Sequence, residues 1–151
     1  MPFAYLNCGD PERAQDAVQS VLVKLLPNRL DSIPHPLAYL RRAVVNELAS
    51  LGRRDARWHG LLPRLLPHET NSDPSRALVE RAPIHQALEV LSARQRAVVV
   101  LRYYQQLDDA QIAQVLRCEP ATVRSIVRRA LPKLRARLQE LEVRDHGQLR
   151  D

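Results

Sequence analysis

The stretch ATVRSIVRRALPKLRARL, residues 121–138, decides the fold of the C-terminal half of the chain. It holds six Arg or Lys residues and no acid, and apolar residues recur among them at three- and four-residue spacing. That spacing predicts an amphipathic helix whose apolar stripe docks on other helices and whose opposite face is basic. The docking stripe comprises Val123, Ile126, Val127, Ala130 and Leu131.

Three shorter helices are predicted upstream of this basic helix, four in all. The first is a short amphipathic helix with Ile84, Ala87, Leu88 and Leu91 on its apolar face. Ser92 with Gln95 fits a capping box at the start of the next, over 93–104, whose apolar face includes Ala97, Val98, Leu101 and Tyr104. Asp108 or Asp109 can cap a next helix, DDAQIAQVLR, and RCEPA then interrupts the pattern before Thr122, the predicted N-cap of the basic helix. A short helix, a tight turn and a basic helix together are typical of a helix-turn-helix.

The outward face of the basic helix has the chemistry of a DNA reader. Residues near the start of such a helix reach base edges in the major groove, and Arg can pair bidentately with guanine. Basic residues further along contact phosphates, which set affinity without reading sequence. The alternative is a solvated basic face, which the lack of any acid over the stretch disfavours. The base-edge candidates are Arg124, Ser125 and Arg128, and the phosphate candidates are Arg129, Lys133, Arg135 and Arg137.

Two further helices are predicted in the N-terminal part. Asp10 and Pro11 are a cap and first-turn pair for a helix over 10–26, which Pro27 ends. A second helix is predicted over 37–54, with a polar face that includes Arg42, Asn46, Ser50 and Arg53. The Pro-rich linker that follows contains one short apolar segment, around Leu61–Leu66, that can form a helix. The apolar stripes of the two helices are Ala14, Ala17, Val18, Val21, Leu22, Leu25 and Leu26, and Leu37, Leu40, Val44, Leu48 and Leu51.

Composition places the chain among all-α globular proteins. The 151 residues are 45% hydrophobic, with four Gly and few aromatics, and Ala, Leu, Arg, Gln and Val favour helix over sheet. The net charge of +6 suggests a polyanionic partner, although an Arg-rich composition alone explains it equally well. No apolar run approaches the roughly 20 residues of a membrane span, and the N-terminus has no signal-peptide pattern. Scattered Cys and His residues predict neither a metal site nor a cofactor.

Three stretches of the chain resemble one protein family. Residues 91–138 resemble region 4 of the extracytoplasmic-function sigma factors of bacterial RNA polymerase, over LSARQRAVVVLRYYQQLDDAQIAQVLRCEPATVRSIVRRALPKLRARL. Residues 4–26 and 35–54 resemble region 2 of that family, over AYLNCGDPERAQDAVQSVLVKLL and HPLAYLRRAVVNELASLGRR. The likeness is greatest to the actinobacterial SigE branch. It implies two small helical domains: region 2-like at 1–55 and region 4-like at 83–142, with a linker at 56–82 and a tail at 143–151.

The resemblance also assigns roles to matching positions. It implies that Asp16 and Gln19 bind core RNA polymerase and that Asn46 reads an extruded base of the −10 element. Around Asn46, the DNA backbone would be held by Arg41, Arg42, Arg53 and Arg54. The −35 element would be bound by Thr122, Arg124, Ser125, Arg128, Arg129 and Lys133. The implied partners are core polymerase and promoter DNA, with an anti-sigma factor as a further candidate.

Departures from the family pattern generate expectations of their own. Most of two helical stretches that usually precede residue 4 is absent, so we expect a partly exposed region 2 core, with Val18, Leu22, Leu40 and Val44 affected. Arg117 replaces the usual turn glycine and must accept a left-handed backbone. Pro132 inside the basic helix predicts a kink or a new helix start. Ser20 stands where an acid is usual, Leu22 and Leu26 replace aromatics, and Ile126 replaces a frequent Arg.

The sequence leaves two functional classes open and disfavours a third. The leading one is a cytoplasmic promoter-specificity subunit that performs no chemistry of its own. The second is a helix-turn-helix regulator that acts without polymerase, and a degenerate sigma-like protein is a variant of the first. An enzyme is disfavoured, because no P-loop, nucleophile elbow or zinc-protease motif occurs.

Overall fold

The computed structural model describes residues 2–27, 32–65 and 83–148, apart from the side chains of 55–65 and 146–148. All regular structure in these ranges is helical, which confirms the all-α prediction. The helices are α1 Pro2–Cys8, α2 Pro11–Leu25, α3 Pro36–Leu65, α4 Pro83–Leu88, α5 Ala93–Val99, α6 Asp109–Leu116 and α7 Pro120–Gln148, with a π-helical turn, Val100–Tyr104, directly after α5.

The first three helices form an N-terminal lobe. Asp10 caps α2 as expected: its carboxylate accepts hydrogen bonds from the backbone N–H groups of Glu12 and Arg13, and Pro11 occupies the first turn. One face of α2 packs against α1 and α3, so that small and branched side chains fill the space between the three helices. The buried residues are Ala4, Ala14, Ala17, Val21, Leu25, Val44 and Leu48.

Helix α3 is longer than the sequence pattern predicts. It continues from the expected 37–54 segment to Leu65, through the first ten residues of the predicted linker. The short helix expected around Leu61–Leu66 is therefore the end of α3, as far as Leu65. Residues 66–82 of the predicted linker lie outside the described residues. Residues 55–62 contain no proline, so nothing in this stretch obliges the helix to stop where the predicted helix ended.

The remaining helices form a C-terminal lobe with the predicted caps. Ser92 with Gln95 and Asp108 with Gln111 both form complete capping boxes. The apolar sides of α5 and α6 and of the first half of α7 meet in one core, in which Leu101 and Ile112 are fully buried. Four helices thus occur within the segment where four were expected.

The turn between α6 and α7 takes the strained form expected from its sequence. Arg117 adopts a left-handed backbone (φ 51°, ψ 56°), and the following N–H, of Cys118, donates to the carbonyl of Ala113 at 3.0 Å. This is the Schellman pattern that glycine usually occupies. Arg117 therefore adopts a left-handed backbone that glycine would adopt at lower cost.

The predicted start of α7 is wrong, and the helix continues without a new start through Pro132 to Gln148. The helix begins at Pro120 rather than after Thr122, because proline is pre-organised for the first helical position and the carbonyl of Glu119 accepts the N–H of Thr122 at 2.9 Å. No new helix begins at Pro132: the buried Ala130 and the packed Leu134 hold the helix to the core on both sides of it. The helix also extends to Gln148, into the predicted tail 143–151.

Several apolar residues assigned to buried faces are exposed. Leu26 is 82% exposed, the largest departure. Each apolar stripe spans more of the helix circumference than the neighbouring helices cover, so the residues at its edge remain exposed to solvent. Of the region 2 residues expected to be partly exposed, Leu22 is exposed and Val18 and Leu40 are half-buried, whereas Val44 is buried. The exposed members of the predicted stripes are Leu22, Leu26, Leu37, Ile84 and Tyr104.

The two lobes pack directly on each other. Phe3 of α1 contacts the buried clusters of both lobes. The half-buried guanidinium of Arg96 donates to the carbonyl of Asn7 at 2.9 Å across the interface and to two carbonyls of its own lobe. Arg41 of α3 donates twice to the side-chain oxygen of Gln105, at 3.1 and 2.7 Å. Phe3 and these hydrogen bonds join the N-terminal lobe to the C-terminal lobe within the same chain.

A glycine marks the closest approach of the lobes. Gly9, between α1 and α2, has φ +73°, and a Cβ there would overlap the imidazole of the buried His85. We expect Gly9→Ala to lower the free energy of unfolding by more than the roughly 1–2 kcal/mol of left-handed strain alone. Gly52→Ala is the matched control, because a Cβ at that helical position meets nothing within 4 Å and should stabilise by about 1 kcal/mol.

Urea unfolding of both variants and of Gly9→Ala/His85→Ala measures the effect. Partial recovery in the double variant is expected, since the strain remains but the overlap is removed. If Gly9→Ala were as stable as the parent, the lobes would not meet at this point.

A polar cluster joins α2 to α3 at Ser20, where the family usually has an acid. Ser20 Oγ donates to Glu47 Oε1 at 2.9 Å, and Lys24 Nζ lies 2.7 Å from Glu47 Oε2. The hydrogen bond from Lys24 is the main reason that the pKa of Glu47 lies below its ordinary 4.5; burial opposes this lowering, and the hydrogen bond from Ser20 adds to it. An acid at position 20 would face this carboxylate, so the substitution suits the packing.

Glu47 should therefore make folding stability depend on pH. Because its folded pKa is lowered, its contribution is complete above its unfolded pKa of 4.5 and is lost as pH falls through the folded value. We expect Glu47→Gln to cost about 1 kcal/mol at pH 7 and to flatten the decline in stability below pH 4.5. Thermal melts from pH 7 to 3 test this, with the exposed Glu140→Gln as control. An unchanged decline would remove Glu47 from the acid-sensitive groups.

Candidate nucleic-acid interface

The docking of α7 determines which of its residues face solvent. Val123 and Ala130 are fully buried and Val127 is nearly so, on one side of the first three turns. With 3.6 residues per turn, five basic residues and Thr122 then fall in two rows on the opposite side. One row contains Arg124, Arg128 and Arg135, and the other contains Thr122, Arg129 and Lys133; all six are exposed.

Two parallel rows of positive charge along one side of α7 can bind an elongated polyanion that lies against the helix. Ser125, half-buried, lies between the two rows near the start of α7, where a recognition helix meets base edges. Every residue that the sequence places at the −35 element is thus on this one surface. Arg137, a phosphate candidate, instead lies 2.9 Å from Glu140 and is half-buried, so it is less available than its neighbours.

An acidic partner for the base-edge candidates was not predicted. Asp109, in the first turn of α6, accepts a hydrogen bond from Arg102 and lies 3.6 Å from Arg124. Asp108 is the N-cap of α6, so the adjacent Asp109 is not needed for capping. This second Asp was the sequence feature that could have indicated a pairing with arginine. Because Arg124 is 62% exposed, the pair is worth at most about 1 kcal/mol and can exchange for a DNA contact.

A second polar surface lies on α3. Asn46, Arg53 and Arg54 are exposed and Arg42 is half-buried, with its guanidinium 5.2 Å from the centre of the Tyr39 ring. A cation over an aromatic face is held in place while its N–H edges remain able to donate. The amide of Asn46 offers a donor and an acceptor, which is what reading a base edge requires.

A third surface lies on α2. Asp16 and Gln19 are exposed on one helical face, as their spacing predicts. That face continues with Val23, which is 65% exposed, and Leu26, which is 82% exposed. An exposed apolar strip beside two polar side chains is typical of a protein-docking surface, and sequence reasoning missed it by placing Leu26 in the core.

The three surfaces do not form one site. Arg42, Asn46 and Arg53 line a cleft of about 800 Å³ between the lobes, whereas the two basic rows of α7 lie outside it. Burial raises the pKa of the Cys8 thiol, which also lines this cleft and whose Sγ contacts the carbonyl of Asp10 at 3.3 Å. Both cysteines are free and half-buried.

The described residues contain neither a candidate metal site nor a candidate membrane-spanning helix. Among the side chains of residues 2–27, 32–54 and 83–145, no three His, Cys, Asp or Glu are grouped closely enough to hold a metal ion. In the same ranges no helix combines the length and the apolar character that crossing a bilayer requires.

Comparison with known proteins agrees with this geometry. The family model for sigma-70 region 4 matches residues 81–134, which contain the helix-turn-helix. The RNA polymerase sigma-E factor of Streptomyces avermitilis is 37% identical over 140 residues, covering 90% of this chain and 75% of the relative. The ECF RNA polymerase sigma factor SigL of Mycobacterium tuberculosis is 32% identical over 147 residues, covering 93% and 83%.

A solved structure shares the arrangement of the helices. The sigma factor RpoE of Bartonella quintana, crystallised with the anti-sigma factor NepR, matches with a TM-score of 0.68 at 24% identity, over 91% of this chain and 88% of that one. At this identity the match supports the fold alone. The sequence relatives cover nearly the whole chain, and on their evidence the chain belongs to the extracytoplasmic-function family of RNA polymerase sigma factors.

Proposed function

We propose that this protein binds core RNA polymerase and directs it to promoters, with α7 at the −35 element and α3 at the −10 element. The observation that carries the proposal is the exposed basic side of α7 over residues 121–138, which contain no acid, and its orientation is imposed by the buried Val123, Val127 and Ala130. The protein itself then performs no chemistry, and it works where the polymerase is, in the cytoplasm.

The −35 role follows from the two rows of α7. Arg124 and Arg128 are one turn apart near the helix start, so both can reach neighbouring bases in the major groove. The second row, with Arg129 and Lys133, lies beside them and meets the phosphates of the groove wall. Thr122 and Ser125 can donate to either base type or to phosphate.

The −10 role rests on the polar face of α3. A base that leaves the stack exposes its hydrogen-bonding edge, which the amide of Asn46 can match. Arg42, Arg53 and Arg54 surround Asn46 with positive charge that can hold the strand on either side. Opening the duplex is favoured because the extruded base exchanges stacking for these contacts.

Polymerase binding is assigned to the α2 surface of Asp16, Gln19, Val23 and Leu26. Two polar side chains can fix orientation while the two exposed apolar ones supply burial. An anti-sigma factor is a second proposed partner, since the Bartonella quintana relative of similar fold was crystallised with one. The alternative of a regulator that acts without polymerase needs neither this surface nor Asn46.

Reconstitution with core polymerase tests the proposal directly. The purified chain should be retained by immobilised core enzyme, and the mixture should give discrete run-off transcripts from genomic fragments that core enzyme alone does not give. DNA binding without retention by core enzyme would favour the polymerase-independent regulator. Retention without transcripts would favour a degenerate sigma-like protein.

Substitutions in α7 should separate base reading from phosphate contact. Arg124→Ala and Arg128→Ala should each weaken −35 binding by about 1–3 kcal/mol, and only at particular base positions. Arg135→Ala, in the same row two turns further on, should weaken all sequences alike and reduce the dependence on salt. Binding isotherms of the holoenzyme on −35 variants at several salt concentrations decide. A uniform loss for Arg124→Ala would assign that residue to phosphate instead.

Asn46 should act in promoter opening rather than in polymerase loading. Asn46→Ala removes the amide that matches an unstacked base, so permanganate reactivity of the −10 region should fall while retention by core enzyme is unchanged. Ser50→Ala, one turn along the same face, is the control and should open the promoter normally. Normal opening by Asn46→Ala would refute the assignment.

A further inference from the structure

The cleft between the lobes is lined by arginines from both of them. Among the described residues, six arginines and no Asp or Glu line its volume of about 800 Å³. That volume lies within the range of small-molecule sites. Three of the arginines belong to the N-terminal lobe and three to the C-terminal lobe: Arg13, Arg42, Arg53, Arg94, Arg96 and Arg117.

These arginines are not all required by the fold. Arg96 is, because its guanidinium donates to three backbone carbonyls. Arg53, Arg94 and Arg117 are exposed, and no carboxylate of the described residues lies within ion-pair distance of them. Arg117 occupies a left-handed position where glycine would fit better, so its side chain is placed in the cleft despite a backbone cost.

The packing of the lobes brings these like charges to one cleft. Repulsion between guanidinium groups across the cleft opposes the packing of Phe3 and the hydrogen bonds of Arg41 and Arg96. A ligand with several negative charges that contacts both lobes at once would offset this repulsion.

The lining also indicates the chemistry of that ligand. Guanidinium groups bind phosphate through two parallel N–H donors. The described lining has no aromatic side chain on which nucleic-acid bases would stack; between the arginines it is made of small and aliphatic residues such as Ala49, Val45 and Leu116. We propose that the cleft between the lobes is a binding site for closely spaced phosphates, either a free polyphosphate or nucleotide or the backbone of a short single strand.

Occupation of this site has a consequence that rests on the proposed function. Arg42, Asn46 and Arg53, assigned to the −10 element, line the same cleft. A phosphate ligand held there covers them and keeps the lobes together. The free protein would then exchange the ligand for polymerase and promoter before it could open DNA.

Binding measurements on the full chain test the site without reference to transcription. Tripolyphosphate and an eight-nucleotide single strand are titrated separately by calorimetry. Arg94→Gln/Arg117→Gln should weaken binding about tenfold or more, because two charge-assisted contacts are lost from residues outside the proposed promoter surfaces. Arg144→Gln, exposed near the end of α7, is the control for net charge and should bind like the parent.

The two probes distinguish the sources of phosphate. Tighter binding of tripolyphosphate identifies a free polyphosphate, and tighter binding of the oligonucleotide identifies a strand; either result, lost in the double variant, supports the site. Equal weakening in Arg144→Gln and in the double variant would show non-specific attraction and overturn the proposal. Absence of binding to both probes would also overturn it, whatever the transcription assay shows.

An order-of-addition assay tests the consequence separately. The better probe, added before core polymerase, should slow loading of the parent chain but not of the double variant. Added after loading, it should have no effect on either. Equal slowing of both chains would leave the promoter function intact and refute the masking of the −10 residues.

Discussion

Burial of the apolar stripe of α7 is the constraint on which the rest of the C-terminal lobe depends. Val123, Val127 and Ala130 close the core formed by α5 and α6. Each buried valine is worth about 1.5–3 kcal/mol, and turning the helix by half a turn would instead bury Arg124 and Arg128 without partners. The core therefore sets the orientation of the basic face, and stability and DNA recognition are properties of opposite sides of one helix.

In the N-terminal lobe, contact with the other lobe is the constraint that both covers the core and orients α3. Phe3, from the short α1, packs on the cores of both lobes, and Arg41 and Arg96 supply hydrogen bonds across the interface. The same packing that covers the N-terminal core directs Asn46 into the arginine-lined cleft. The fold thus ties the protection of a small core to the accessibility of a recognition surface.

Local features of the fold were predictable from the sequence, because their signals lie within a few residues. The capping box of Ser92 with Gln95, the Asp10 cap and the left-handed Arg117 were predicted correctly for this reason, and Asp108 is one of the two caps proposed for α6. The end of α3, the exposure of Leu26 and the pairing of Asp109 with Arg102 and Arg124 were not. They depend on which surfaces meet across the chain, and periodicity says how wide a stripe is but not how much of it a neighbour covers. For the predicted site residues, the sequence indicated which face of each helix they lie on. It did not indicate the cleft that brings Arg42, Asn46 and Arg53 together with arginines of the other lobe.

The orientation of α7 on promoter DNA is the claim that a single measurement can test most directly. An iron chelate tethered to Ala121→Cys, with Cys8 and Cys118 replaced by Ser, lies on the outward face at the start of the helix; Gln139→Cys lies on the same face, about 27 Å further along. In the holoenzyme–promoter complex, strand cleavage from position 121 should be confined to a few base pairs at the −35 element, and position 139 should cut weakly or elsewhere. No cleavage from position 121, or the same cleavage pattern from both positions, would contradict the docking of α7 described above.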